Sequence, residues 1–197
     1  MGDSLSAGYG LQPDEGWVYL LQQRLEKLNS APQNSGQQTA AQQKNWRVVN
    51  ASITGDTTRG GLARLPAALE REKPAVVILE LGGNDGLRGF RLKQVKSNLV
   101  KMIDMSREKN AKVLLLGVQL PANYGKVFRE KFQQIYLDIA EQENVAVVPF
   151  FLEGVAETRA MMQADGIHPA AIAQPRILKN VWPELVKLIN KSDLNTD

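Results

Sequence analysis

A serine near the amino end of the chain and a histidine near its carboxyl end are the residues that could together perform chemistry. Ser4 follows Gly2 and Asp3, and His168 is the single histidine of 197 residues. A serine hydroxyl is a weak nucleophile unless a base accepts its proton, and an imidazole is the usual base. Because the chain has one histidine, such a mechanism has one possible imidazole base. We therefore predict that Ser4 is a nucleophile and that His168 activates it.

Asp165 stands three residues before His168, in the segment Asp-Gly-Ile-His-Pro. A carboxylate at this spacing can turn back onto Nδ1 of the imidazole, which leaves Nε2 free to take the serine proton. We predict that Asp165 orients the base. The alternative for His168 is an ordinary loop histidine with a hydrogen-bonded ring.

An acyl-transfer site also needs hydrogen-bond donors for the oxyanion that forms during attack. We predict three donors, namely the backbone N–H of Ser4, the backbone N–H of Gly55 and the side-chain amide of Asn84. The missing Cβ of a glycine permits close approach of a substrate. The alternatives are structural, since Ser4 could simply cap a helix and Asn84 could form an Asx turn.

The elements that must position these residues alternate along the chain between helices and apolar strands. The spacing of apolar residues predicts helices at 15–28, from the Thr57 turn to about 71, 92–109, 127–142 and 171–189, and strands at 46–51, 75–81, 112–118 and 145–150. Such alternation implies parallel βαβ crossovers, hence a three-layer α/β/α fold with its site at the carboxyl ends of the strands. A length of 197 residues suits one domain, 1–197.

Two segments are expected to lie outside the regular core, and one strand is expected to be missing. Residues 30–45 are rich in Gln, Asn, Ala and Ser and predict a surface loop, and residues 190–197 form a polar tail. A nucleophile turn normally follows a strand, yet only Met1 and Gly2 precede Asp3. We therefore expect the first strand of the sheet to be absent from the given chain.

The composition argues against several other classes of protein. The 24 basic and 21 acidic residues leave a net charge of +3 without a basic tract, so we expect no nucleic-acid partner. There is no cysteine, and a lone histidine with scattered carboxylates forms no recognisable metal site, so we expect neither metal nor cofactor. No apolar run approaches the roughly 20 residues that span a bilayer, so no stable membrane insertion is expected.

Four ordered blocks resemble the signature of the SGNH, or GDSL, hydrolase family: Gly2-Asp3-Ser4-Leu5, Gly55, Gly82-Gly83-Asn84-Asp85 and Asp165-Gly166-Ile167-His168-Pro169. The resemblance implies a flavodoxin-like fold and a metal-independent serine hydrolase that cleaves acyl thioesters, simple and aryl esters, and lysophospholipids through an acyl-enzyme. It also implies an acyl groove beside the loop 120–125, with Leu120 and Pro121 contacting substrate. It further suggests export to the periplasm or secretion, but the given chain shows no signal peptide, so a cytoplasmic location stays an alternative. A monomer is the default expectation.

Two other functions remain compatible with the same scaffold. One is an acetylesterase that acts on decorated carbohydrate, since substrate choice depends on pocket residues and not on the fold. The other is a non-catalytic lipid-binding protein, or a fragment that is inactive because it lacks its first strand.

Overall fold

The computed structural model describes residues 1–29 and 45–190. The predicted surface loop at 30–45 and the polar tail at 190–197 lie outside the described residues, apart from positions 45 and 190. The strands are β1 (Val76–Leu79), β2 (Lys112–Leu116) and β3 (Ala146–Val148). The helices are α1 (Ser4–Ala7), α2 (Trp17–Asn29), α3 (Thr58–Glu72), α4 (Gly83–Leu87), α5 (Leu92–Glu108), α6 (Lys126–Gln142) and α7 (Gln174–Asn190).

The three strands form one parallel sheet in the order β1-β2-β3. Val77 pairs with Val113, and Leu115 of β2 pairs with Val147 of β3. Parallel strands are covered by helices on both faces, which is why their sequences are nearly continuous apolar runs. β2 illustrates this, because Leu114 and its two successors are fully buried.

Helices cover the sheet in two groups. In the first group, α5 and α6 pack on β2, and α3 packs against α5. In the second group, α7 packs on β2 and β3, and α2 packs against α7. The core between these layers contains large side chains without measurable exposure, among them Phe132, Tyr136 and Leu99. The predicted three-layer α/β/α fold with a parallel sheet is confirmed.

The first two residues of the chain lie beside β1, on the edge that faces away from β2. Gly2 forms a parallel bridge with Glu80, the residue that follows β1. The Met1 ammonium group donates to the carbonyl of Ile78 at 3.0 Å, and the N–H of Glu80 donates to the carbonyl of Met1 at 3.0 Å. Met1 and Gly2 therefore pair as the last residues of a strand would, and lead directly into the turn that carries Ser4.

The predicted strand at 46–51 is wrong, because the structure forms no strand there. The N–H of Val48 is satisfied by the side chain of Gln22 at 2.6 Å instead of by a neighbouring strand. Between this segment and the edge of β1 that faces away from β2 lies a cavity of about 530 Å³, which we call the edge groove; Val76, Leu21 and Leu185 are among its mainly apolar lining. Residues that favour strands form one only where a neighbouring strand accepts and donates their backbone hydrogen bonds.

The glycine-rich stretch after β1 forms the single-turn helix α4. The N–H of Gly86 donates to the carbonyl of Gly82 at 2.9 Å, and that of Arg88 donates to the carbonyl of Asn84 at 3.1 Å. Gly82 has φ +118°, and a Cβ there would lie 2.3 Å from the hydroxyl of Tyr136. Glycine is a poor helix former, so this turn depends on tertiary contacts and not on propensity.

Candidate active site

Ser4 is the first residue of α1, in the turn that follows the bridge to β1. The Asp3 carboxylate caps the helix by accepting the N–H of Leu5 at 3.0 Å. The helix ends one turn later at Gly8, whose φ of +80° is readily adopted by glycine. Ser4 is buried to 8% exposure, and its backbone N–H belongs to the first turn, where helix N–H groups have no intrahelical acceptor.

The structure brings the three predicted catalytic side chains together in one line. The Oγ atom of Ser4 lies 2.9 Å from Nε2 of His168, and Nδ1 of the same ring lies 2.7 Å from Oδ2 of Asp165. In the tautomer that donates from Nδ1 to the carboxylate, Nε2 is left to accept the hydroxyl proton. These contacts join residues separated by 164 positions in sequence.

The loop that carries His168 is shaped by the other oxygen of Asp165. Oδ1 accepts the backbone N–H of Ile167 at 2.9 Å and that of His168 at 3.0 Å. The hydrogen bond from the His168 ring, aided by these N–H groups, lowers the pKa of Asp165 to about 2. The carboxylate therefore stays ionised at neutral pH, as an orienting partner of an imidazole must.

The predicted oxyanion donors lie on segments that contact one another beyond the end of β1. Gly55 lies in the turn closed by the hydrogen bond from Asp56 N–H to the Ile53 carbonyl at 3.0 Å, with φ +77°. Its carbonyl accepts from Arg88 at 3.0 Å, and within residues 1–29 and 45–190 its N–H makes no hydrogen bond. Asn84, in α4, donates through Nδ2 to Asp3 at 3.1 Å, which leaves the second hydrogen of that amide group available.

A buried carboxylate joins the turn that contains Gly55 to the helix that contains Asn84. Asp85, 2% exposed, accepts the backbone N–H of Thr58 at 2.8 Å and the hydroxyl of Thr58 at 2.6 Å. Asn98 of α5 donates to that hydroxyl at 3.0 Å. Asp85 therefore fixes the start of α3 against α4 through Thr58.

Sequence reasoning missed two residues that contact the site. The ring of Tyr9 lies 4.4 Å from the His168 ring, centroid to centroid. The side chain of Gln163 donates to the carbonyl of Tyr9 at 2.8 Å and to that of Pro169 at 3.1 Å, so it links the nucleophile segment to the histidine loop. Neither residue belongs to a recognisable motif, and only the proximity of Tyr9 to the GDSL segment could have drawn attention to it.

The two residues predicted to contact substrate differ in exposure. Leu120 is 2% exposed and packs toward Gly86, whereas Pro121 is half-buried at the start of the loop that leads to α6. Their role in a groove stays a prediction. In the described ranges no three His, Asp or Glu side chains group as metal ligands would, and no helix there is long and apolar enough to cross a membrane.

A parallel α/β sheet that holds a Ser-His-Asp line at the carboxyl edge of its strands is the arrangement of a serine hydrolase. Residues 1–174 match the model of the GDSL-like lipase/acylhydrolase family. The chain belongs to this family.

Individual relatives agree with that assignment. The chain is 55% identical over 189 residues to esterase TesA of Pseudomonas aeruginosa, which covers 96% of this chain and 87% of the relative. It is 42% identical over 190 residues to thioesterase 1/protease 1/lysophospholipase L1 of Escherichia coli strain K12, covering 96% and 83%. Its fold resembles the crystal structure of the psychrotrophic esterase EstA of Pseudoalteromonas, inhibited by monoethylphosphonate, with a TM-score of 0.83, 38% identity and 97% of each chain covered.

Proposed function

We propose that the chain hydrolyses carboxylic esters and thioesters through an acyl-enzyme formed on Ser4. The observation that carries the proposal is the continuous contact from the Ser4 hydroxyl through the His168 ring to Asp165, at 2.9 and 2.7 Å. Contacts of this length allow a proton to pass from the serine to the imidazole as the serine attacks.

We assign a group of the chain to each step of the reaction. Ser4 Oγ attacks the acyl carbonyl carbon while His168 Nε2 accepts its proton, and the ionised Asp165 stabilises the imidazolium that results. The backbone N–H groups of Ser4 and Gly55 and the Asn84 amide bind the oxyanion. His168 then returns the proton to the leaving alcohol or thiol. Water, deprotonated by the same imidazole, attacks the acyl-enzyme and releases the carboxylic acid.

The substrate class follows from the relatives. Their names describe an esterase and a thioesterase with lysophospholipase activity, and we propose that this chain likewise accepts fatty acyl thioesters, aryl esters and lysophospholipids. Comparing p-nitrophenyl esters from acetyl to palmitoyl, together with palmitoyl-CoA, tests this assignment. A strong preference for acetyl esters would instead favour the carbohydrate acetylesterase.

The site assignment is tested by labelling the purified chain with a fluorescent fluorophosphonate. We expect stoichiometric labelling of the native chain, none in Ser4→Ala and a strongly reduced rate in His168→Ala. Serine hydrolases react with such probes because the phosphorus takes the place of the acyl carbon. Full labelling or full esterase activity of a folded Ser4→Ala protein would refute the nucleophile assignment.

We further propose a monomeric state, as the default for a single-domain enzyme, and a periplasmic or secreted location, from the resemblance to the SGNH hydrolase family. Light scattering of the purified chain tests the first, and fractionation of the source cells tests the second. A stable dimer, or activity confined to the cytoplasmic fraction, would contradict them.

A further inference from the structure

The Asp3 carboxylate is used by two separate parts of the site. Asp3 is 2% exposed; its Oδ1 accepts the N–H of Leu5 at 3.0 Å and its Oδ2 accepts Nδ2 of Asn84 at 3.1 Å. One oxygen therefore caps the helix that presents Ser4, and the other holds the side chain of Asn84. A hypothetical Cβ on Gly83 would lie 3.3 Å from Oδ2, so the start of α4 approaches this carboxylate closely.

The hydrogen bond between Oδ2 of Asp3 and Nδ2 of Asn84 sets the orientation of the Asn84 amide group. An asparagine side chain has an acceptor end and a donor end of nearly the same shape, and only the donor end can stabilise an oxyanion. An ionised carboxylate is a pure acceptor, so it favours the orientation that directs Nδ2 toward it. The NH₂ group has two hydrogens, and with one bound to Asp3 the other has a fixed direction.

A second buried carboxyl group keeps Asp3 in the accepting state. Oε2 of Glu80 accepts the backbone N–H of Asp3 at 3.2 Å and the hydroxyl of Ser6 at 2.8 Å, while Oε1 is buried without a hydrogen-bond partner in the described part of the chain. Burial, and then the charge of Asp3, raises the pKa of Glu80 well above its ordinary value. Burial also raises the pKa of Asp3, to about 6.

As the pH falls, Glu80 is therefore protonated before Asp3. Hydrogen bonds with the N–H of Leu5, with the Asn84 amide and with Glu80 lower the pKa of Asp3 and so favour its ionised form. The Met1 ammonium group lowers the pKa of Glu80, and the His168 ring lowers that of Asp3. Above about pH 6, Asp3 is thus an acceptor for both Leu5 and Asn84.

We propose that Asp3 is a positioning residue that sets the orientation of the Asn84 amide and ties it to the turn carrying Ser4. The proposal rests on the oxyanion role assigned to Asn84 above. It gives the aspartate of the GDSL segment a task that is distinct from capping α1, because the cap uses the other oxygen.

The test is a double-mutant cycle with Asp3→Asn and Asn84→Ala, measured as kcat and KM on p-nitrophenyl butyrate and as the rate of fluorophosphonate labelling. Asn84→Ala removes one oxyanion donor, which typically costs about 10² to 10³-fold in kcat. Asp3→Asn directs an NH₂ group at Asn84 and turns its amide around, so we expect kcat to fall at least tenfold while KM stays within twofold. In the Asn84→Ala background the same change is expected to cost less than twofold.

Two further variants separate positioning from stability. Asp3→Ser retains a helix-capping hydroxyl but is too short to reach Asn84, so its kcat is expected to fall as in Asp3→Asn, with α1 still capped. Ser6→Ala removes a hydrogen bond to Glu80 in the same buried cluster without touching Asp3 or Asn84, and its kcat is expected to stay within twofold of native. Thermal melting of each variant verifies that it is folded.

The outcomes distinguish this proposal from the one on which it rests. An Asp3→Asn loss that vanishes in the Asn84→Ala background supports the positioning role. A loss that persists there, or native activity in Asp3→Asn and Asp3→Ser while Asn84→Ala is impaired, overturns it. Native activity in Asn84→Ala would instead refute the oxyanion role of Asn84, whatever the behaviour of Asp3.

Discussion

Removal of the Gln163 side chain is expected to weaken catalysis although this residue does not contact the reacting atoms. Its amide donates to the carbonyl of Tyr9 at 2.8 Å and to that of Pro169 at 3.1 Å, thereby joining the two segments that present Ser4 and His168. A neutral hydrogen bond contributes about 0.5–1.5 kcal/mol, and because these two are partly exposed we expect their loss to cost about 1–2 kcal/mol together. For a chain of this length that corresponds to a decrease in Tm of about 2–8 °C.

The same loss loosens the 2.9 Å contact between serine and imidazole. If about 1 kcal/mol of this lost stabilisation is also lost in the transition state of the reaction, kcat falls about fivefold. The assay is the hydrolysis of p-nitrophenyl butyrate under saturating substrate, with melting followed by circular dichroism. Gly10→Ala perturbs the same link from the other side, because the new Cβ would lie 2.3 Å from Oε1 of Gln163 at a backbone φ of +73°.

A matched control is Gln134→Ala in α6, where an exposed glutamine amide donates to Asp138 at 2.9 Å. We expect native kcat there, since that bond lies on the surface of one helix. The reasoning is refuted if Gln163→Ala melts and turns over like the native chain, or if Gln134→Ala loses as much activity.

Three further outcomes are expected. Asp165→Asn leaves the imidazole without its ionised partner and is expected to lower kcat by about 10² to 10⁴-fold. The pKa of Asp165 is lowered to about 2 in the folded chain. In urea melts the native chain is therefore expected to be more stable than this variant above about pH 4, and the difference is expected to shrink as the pH falls toward 2. Tyr9→Leu removes the ring that contacts His168 and lowers kcat about two- to fivefold, whereas Tyr9→Phe retains it; equal activity of the two variants would contradict a role for the ring. Burial lowers the pKa of the Met1 ammonium group to about 6. The folded state therefore loses this proton at a lower pH than the unfolded state, and the free energy of unfolding is expected to rise between pH 6 and 8. Joining five apolar residues to the Met1 nitrogen is expected to fill the edge groove, raise Tm and abolish the pH dependence, whereas a Ser- and Asp-rich extension of equal length is not expected to fill the groove.

The contact of Ser4, His168 and Asp165 could be predicted because its evidence in the sequence is simple. The interval between Asp165 and His168 is short enough for both side chains to belong to one loop, and the single histidine leaves no competing base. The parallel fold could be predicted for a similar reason, since strands buried on both faces have apolar runs that any periodicity analysis detects.

What escaped prediction depends on partners distant in sequence. The segment 46–51 has the composition of a strand, yet a strand exists only where a neighbour offers its backbone, and Val48 bonds to a glutamine side chain instead. The α4 helix could not be predicted from local propensity, because its glycines disfavour a helix. It is held by a contact distant in sequence, in which Asp85 accepts the N–H of Thr58, 27 positions away. The Gln163 link likewise requires two loops whose conformations no short motif specifies.

The single histidine has a spectroscopic consequence. Every imidazole signal of this protein arises from His168, and the aromatic ring of Tyr9 at 4.4 Å shifts those signals away from their solvent positions. A one-dimensional proton NMR spectrum therefore contains one pair of imidazole C–H resonances, which need no isotope label and no assignment. Binding of an acyl ligand and acylation of Ser4 can each be followed on the ring that we propose as the catalytic base, in the unmodified native chain.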